Sequence, residues 1–218
     1  NKTVDKMKIK LDLHIHTDSS HDCKMNSSKV VKIAKKKGLE GIAITDHDSF
    51  LGISKTIKAS KDLLIIPGME IKTEVGDILC LFLKEKIISK MFKEVVKETR
   101  KQKGIIVIPH PSIGHILTDE VLKNADAIEV FNSRLNESAN KFAEDLALKL
   151  KKPGVANSDA HTYWEIGCSQ TVVEVNSKSP EEIKKAILNN KIQIVKKRLP
   201  RWKRILIKIS KYLNKHDP

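Results

Sequence analysis

Two histidines stand two residues apart in Asp12-Leu13-His14-Ile15-His16. In an extended strand, residues two apart point to the same side, so His14 and His16 can present two imidazoles to one cation. Four further motifs carry the same kinds of group: Thr45-Asp46-His47-Asp48, Gly68-Met69-Glu70-Ile71, Pro109-His110-Pro111 and Asn157-Ser158-Asp159-Ala160-His161. Each alone is a weak signal, since polar residues commonly close a strand. Together they form a set of imidazoles and carboxylates that suits zinc, manganese or iron. No cysteine joins them, which argues against a structural thiolate zinc site. His14, His16, His47, Glu70, His110, Asp159 and His161 exceed what one tetrahedral ion needs. A carboxylate bridging two or three divalent ions is the economical arrangement. Clustered ions suit hydrolysis of phosphate esters by a metal-activated hydroxide, because they acidify a bridging water and neutralise charge developing on phosphate oxygens.

The elements that must position these residues are short apolar runs alternating with helical patterns. Strands are predicted over 9–14, 41–45, 63–67, 78–83, 105–108, 127–131, 154–156 and 171–175. Several are apolar on consecutive residues, as strands buried on both faces are. Helices are predicted over 28–37, 51–60, 89–103, 118–123, 136–151 and 180–189, with Ser27 or Ser28 capping the first. Gly38 and Gly104 fall where helix C-caps belong, and Pro180 followed by two glutamates is a helix start. The alternation implies an α/β fold with a parallel sheet, and the number of strands favours a barrel. Ligands gather at the carboxyl ends of such strands. His14 and His16 close the first strand, Asp46 and His47 follow the second, and Glu70 follows the third. Asp77 opens the fourth, His110 follows the fifth, Asn132 and Arg134 the sixth, and Asp159 and His161 the seventh.

The chain of 218 residues has a net charge of +14, and 40% of its residues are hydrophobic but only 4% aromatic. Its core must therefore be aliphatic. From residue 184 onward there are twelve Lys and Arg against the single acid Asp217. Such a basic pole favours polyanions, either nucleic acid or an anionic surface, with a solvated lysine-rich face as the alternative. Within it, residues 199–215 read as a basic amphipathic helix through Trp202, Ile205, Ile209 and Tyr212 or Leu213. The expected organisation is a barrel over 1–195 and a tail over 196–218. Three unpaired cysteines suit a reducing compartment, and no segment reads as a signal peptide or membrane span, so a cytoplasmic location is expected.

The order His14-x-His16, Thr45-Asp46-His47, Glu70, Pro109-His110-Pro111 and Asp159-x-His161 resembles the four motifs of the polymerase and histidinol phosphatase (PHP) family of metal-dependent phosphoesterases. The resemblance spans about residues 8 to 190. It implies a distorted, TIM-like (β/α)7 barrel with two or three ions at the carboxyl end. It places His14, His16, Glu70 and Asp159 on one ion, with Glu70 bridging to a second ion held by His110. A third ion would take His47, His161 and a ligand from the loop after His16, Asp22 by its distance from the following helix, with His21 as the alternative. Many relatives carry a histidine at the position of Asp77; a carboxylate there can still ligate the second ion and favours manganese. Family members act on histidinol phosphate, nucleotides or nucleic-acid ends, and some serve as polymerase-attached modules. The resemblance thus implies a phosphomonoesterase or phosphodiesterase, with an exonuclease or a non-catalytic, metal-stabilised module as alternatives.

Three residues complete the expected site. Arg134 can grip a phosphate bidentately, with a surface arginine in a capping loop as the plain alternative. Asn132 is expected beside it at the substrate. Asp46 is expected behind a ligand, orienting it, or else as a simple turn residue.

Overall fold

A computed structural model describes residues 6–200, 202, 203 and 205–207. Among them, the order of elements is β1 (Met7–Ile15), α1 (Ser27–Lys36), β2 (Gly41–Ile44), α2 (Leu51–Ala59), β3 (Leu64–Thr73), β4 (Gly76–Leu81), α3 (Phe92–Lys101), β5 (Ile105–Ile108), α4 (Asp119–Asn124), β6 (Ala127–Asn132), α5 (Glu137–Leu150), β7 (Gly154–Asn157), β8 (Gln170–Val175), α6 (Pro180–Leu188) and β9 (Ile192–Val195). The strands make one sheet in the order β7-β6-β5-β4-β3-β2-β1-β8-β9.

The sheet curls until its ends nearly meet. Ile15, at the end of β1, bridges in parallel to Ala160, just beyond β7. The amide of His16 donates to the Ala160 carbonyl (3.0 Å), and the amide of Ala160 to that of His14 (3.2 Å). Lower on the seam, the Leu13 amide donates to Asn157 Oδ1, and the Thr171 hydroxyl on β8 bonds the backbone of Ala156 on β7. The barrel expectation therefore holds, with two corrections. The strands number nine among the described residues, against the seven that the resemblance implies and the eight read along the sequence; Ile192–Val195 is the ninth, an edge strand that its lysine-flanked sequence hid. The sheet is also mixed: β4 is antiparallel to both β3 and β5, and β8 to both β1 and β9. The short turn from β3 to β4 leaves no room for a crossover, and Gly76 takes φ +120° there.

Apolar residues on the inner face form one cluster running around the ring, with Leu11, Leu13, Ala43, Ile66, Leu79, Val107, Ala127 and Val155 all within it. Helix α6 stops one end of this interior with Ile183, Ala186 and Ile187. Other clusters join the outer face to the helices: α1 and α2 cover Ile42 and Ile44, and α3 covers Cys80 and Ile106. Asn26, rather than Ser27 or Ser28, caps α1, its Oδ1 accepting from the amides of Ser28 and Lys29. Gly38 takes the left-handed turn after α1, but after α3 it is Lys103 (φ 60°) that does so, not Gly104.

Of the amphipathic tail helix, residues 202, 203 and 205–207 are helical; residues 201, 204 and 208–218 lie outside the described residues, as do residues 1–5. Leu199 is buried, and Ser169 Oγ donates to the Lys197 carbonyl, so the stretch leading into the tail packs on the barrel. No helix among the described residues is long and apolar enough to cross a membrane.

Candidate metal centre

A bulge in β1 builds the first half of the centre. Asp12 pairs with Ile42 but Ile15 pairs with Ile44, so β1 spends one extra residue between them. Leu11 and Leu13 lie in the interior cluster, while Ile15 packs outward toward α1 and α2. The extra residue resets the alternation, so His14 and His16 also face inward, above the apolar interior. Both are fully buried.

Glu70 is the hub. Its carboxylate lies 3.2 Å from His14 Nε2, 3.1 Å from His16 Nε2, 3.4 Å from His47 Nδ1 and 3.1 Å from His110 Nε2. The residue is 1% exposed. Burial alone would raise its pKa, but the surrounding imidazoles, His14 foremost, hold it well below the ordinary glutamate range. Asp159 Oδ1 sits 3.6 Å from Nε2 of both His14 and His16, and is likewise held low against its burial by His14 and Arg134.

Three sets of donor atoms are close enough to hold ions: His14, His16 and Glu70; Glu70, Asp77 and His110; and His16, Asp22, His47 and His161. The sequence-predicted ligands His14, His16, Asp22, His47, Glu70, Asp77, His110 and His161 thus fall into adjoining groups, with Asp159 against the first. In the loop after His16 both His21 and Asp22 are exposed, but it is Asp22 that joins a donor group, its Oδ2 2.7 Å from His161 Nε2, while His21 belongs to none. The donors fit divalent cations. His16 Nε2 is buried and makes no hydrogen bond although Glu70 stands beside it. Burial also drives the His16 pKa down to about 4, so the ring is neutral and its lone pair free to ligate.

The backbone at the rim is strained into place. His110 (φ 30°) and Asp159 (φ 53°) both adopt left-handed conformations, a cost that surrounding bonds must hold. The amide of His110 donates to Glu129 Oε2 at 2.9 Å. Glu129 also lies 3.0 Å from His14 Nδ1 and accepts from the side-chain amides of Asn132 and Asn157. Glu129 was missed in the sequence, although a lone acid inside Ala127-Ile128-Glu129-Val130 is a visible anomaly. Glu165, also missed, accepts from the amides of His161 and Thr162. Its spacing of four from His161 carried no sequence signal.

The remaining predicted residues fall differently. Asn132 is fully buried, and its amide donates to Glu129 and Asp159; it therefore supports the ligands from beneath rather than lining a substrate surface. Asp46 touches no imidazole by hydrogen bond. It accepts from the amide and hydroxyl of Thr17 (2.5 and 2.7 Å), fixing the chain just beyond His16. Burial raises its pKa to about 6. Arg134 stands at the rim with its side chain 29% exposed, 3.3 Å from Asp159 Oδ1 and 3.6 Å from Glu165 Oε1. A guanidinium so placed faces both the ligand cluster and solvent.

Residues 137–192 match the PHP-associated family model. Two uncharacterized proteins of Methanocaldococcus jannaschii are similar over much of the chain. One is 36% identical over 141 residues, covering 57% of this chain and 82% of the relative; the other is 31% identical over 214 residues, covering 92% and 86%. The chain has a PHP-like fold. Its barrel is shared with structures of lower identity. A two-domain protein from Bacteroides vulgatus, containing a predicted PHP-like metal-dependent phosphoesterase, superposes with a TM-score of 0.77 at 20% identity, over 88% of this chain and 66% of its own. The lesion-specific endonuclease PfuEndoQ from Pyrococcus furiosus superposes with a TM-score of 0.64 at 20% identity, over 85% of this chain and 58% of its own. This PHP-like chain thus spans about three-fifths to two-thirds of the length of these two structures.

Proposed function

We propose that the protein is a metal-dependent phosphoesterase that hydrolyses a phosphomonoester or phosphodiester. The observation that carries this reading is Glu70, one buried carboxylate within 3.4 Å of four imidazoles and shared by two of the three donor groups. One carboxylate between two ion positions is the arrangement that clustered-metal hydrolysis needs. Two or three divalent ions, manganese, zinc or iron, would supply a nucleophilic water at neutral pH and offset charge on the phosphate oxygens.

The chain's own residues divide the remaining work. His14, His16, Glu70 and Asp159 would hold one ion; Glu70, Asp77 and His110 a second; Asp22, His47 and His161 a third. Arg134 would bind a non-bridging phosphate oxygen from the rim, since its guanidinium keeps donors toward solvent while Asp159 and Glu165 orient it. Asp46 would keep the loop that carries Asp22 in register through Thr17. The test is to substitute His14→Ala and His16→Ala and to assay an aryl phosphate and short oligonucleotides with manganese. Turnover equal to that of the unsubstituted protein would sink the reading. Ion binding without turnover of any ester would favour a metal-stabilised binding module.

A second reading, a nuclease acting at a nucleic-acid end, draws support from the tail. The Lys203 ammonium lies 5.6 Å from the Trp164 ring and 5.3 Å from the Trp202 ring, and both indoles are about half exposed. Trp164 adjoins Glu165, the partner of Arg134. Exposed indoles beside lysines offer stacking faces and charge to a single strand. Deleting residues 199–218 should then weaken oligonucleotide binding and flatten its salt dependence. Equal binding with and without the tail would remove this reading.

A further inference from the structure

His115 lies outside every donor group, yet its setting ties it to one. Its ring centroid is 5.7 Å from that of His110, with the planes at 53°. Both of its ring nitrogens are buried and make no hydrogen bond. The loop that carries it is anchored on the β3–β4 turn, where the Ile116 amide donates to the Val75 carbonyl at 2.8 Å. The ring occupies space that only glycine leaves: a Cβ on Gly76 would stand 2.5 Å from His115 Nδ1. Gly76 adjoins Asp77, so the imidazole is wedged between two residues of the Glu70–Asp77–His110 group.

A histidine that ligates through one ring nitrogen carries its proton on the other, and that N–H normally has an acceptor that fixes the ring. Such partners are in place elsewhere in the centre. His14 Nδ1 has Glu129 at 3.0 Å, and His16 Nδ1 has the Ser20 hydroxyl at 3.4 Å. His110 differs. Its Nε2 faces Glu70 at 3.1 Å, on the ligand side, while its Nδ1 is buried with no partner. A buried N–H without an acceptor costs about 1–3 kcal/mol. The neighbouring group with unused acceptor capacity is His115, which is not bonded to His110 in this structure and would have to turn a ring nitrogen toward its Nδ1 to accept.

We infer that His115 is the positioning residue for His110: it accepts the His110 Nδ1–H when Nε2 ligates, and so sets the affinity of the Glu70–Asp77–His110 group for its ion. This rests on the metal-dependent reading above. It does not make His115 a ligand, since its nitrogens lie outside the donor group. What it adds is a residue whose loss should weaken one ion and leave the other groups intact.

The experiment is manganese titration of the metal-free protein, with bound ions counted by elemental analysis. His115→Phe keeps the aromatic bulk and removes the acceptor. His115→Asn and His115→Gln restore an oxygen near the Nδ1 and Nε2 positions. The expected result is an affinity for one ion lowered roughly 10–100-fold in His115→Phe, recovered in part by Asn or Gln, with circular dichroism spectra unchanged. Wild-type affinity and stoichiometry in His115→Phe would overturn the inference. So would an equal loss in all three variants, which marks a packing role. Absence of manganese uptake by the unsubstituted protein would instead overturn the metal-dependent reading, and is seen before any variant is compared.

Discussion

Glu129 Oε1 lies 3.0 Å from His14 Nδ1, and both side chains are buried to within 1% of full. The pair fixes which nitrogen of His14 faces the ion position: with Nδ1 turned to Glu129, Nε2 is left for Glu70 and a cation. Glu129→Gln should lower ion affinity roughly 10–100-fold while leaving the fold intact. Glu129→Ala should do more. It strips an acceptor from the His110 amide and from Asn132 and Asn157, each loss costing about 1–3 kcal/mol. Thermal melts of the two variants, with and without manganese, separate these effects. A Glu129→Ala protein as stable as wild type would contradict the role.

Ion uptake should release protons. Burial pulls the pKa of His14 and of His110 down, but neighbouring carboxylates, Glu70 foremost, outweigh it, lifting His14 well above its ordinary value and His110 to about 9. In the metal-free protein at pH 7 both rings are therefore protonated, and cations bind only the neutral imidazole. Apparent affinity should rise with pH, and the part that His110 contributes should level off above about pH 9. The sign for stability is opposite in the metal-free protein. A folded pKa above the unfolded 6.5 means that the stabilisation is complete below pH 6.5 and is lost as pH climbs through about 9. Calorimetric titration in two buffers of different ionisation enthalpy should count about two protons released at pH 7. A count near zero would refute this charge state.

Arg134→Ala should lower kcat/KM for phosphate esters by roughly 10²–10³-fold, the usual effect of removing one preorganised donor to a charged transition state. Arg134→Lys should recover only part, because an ammonium cannot face Asp159 and a phosphate with a planar fork. Ion stoichiometry should be unchanged in both. Steady-state kinetics on an aryl phosphate decide it, and an unaltered rate in Arg134→Ala would confine Arg134 to its ion pairs.

Gly52→Ala should disturb the third donor group without touching a ligand. A Cβ there would collide with Asp46 Oδ2 and stand 2.5 Å from Thr17 Oγ1, in the contact that holds the loop beyond His16. Overpacking of this kind costs about 1–3 kcal/mol. A lowered melting temperature and weaker binding of one ion are expected. A variant with native stability and full manganese stoichiometry would show that the loop has slack.

The sequence by itself determined the ligand types, their order and their placement at strand ends. His14, His16, His47, Glu70, His110, Asp159 and His161 were legible because metal chemistry demands particular atoms, and those are written residue by residue. The strands from Met7–Ile15 to Gln170–Val175 were legible because burial on both faces leaves uninterrupted Ile, Leu and Val. Sequence could not settle the choice between His21 and Asp22, because the choice depends on which way a loop turns. It could not see that Asp46 serves Thr17, that Asn132 serves Glu129, or that Glu129 and Glu165 hold the ligands, since these are contacts between residues far apart in the chain. The bulge in β1 is the sharpest case. Strict alternation would set Leu11 and Leu13 on one face and His14 and His16 on the other. One extra residue between the pairings of Asp12 and Ile15 turns all four inward. That residue is accommodated because β1 has β2 on one side while its other side pairs with β8 low down and with Ala160 at the rim. Pairing across a barrel seam is a property of the closed sheet, and no local stretch of sequence encodes it.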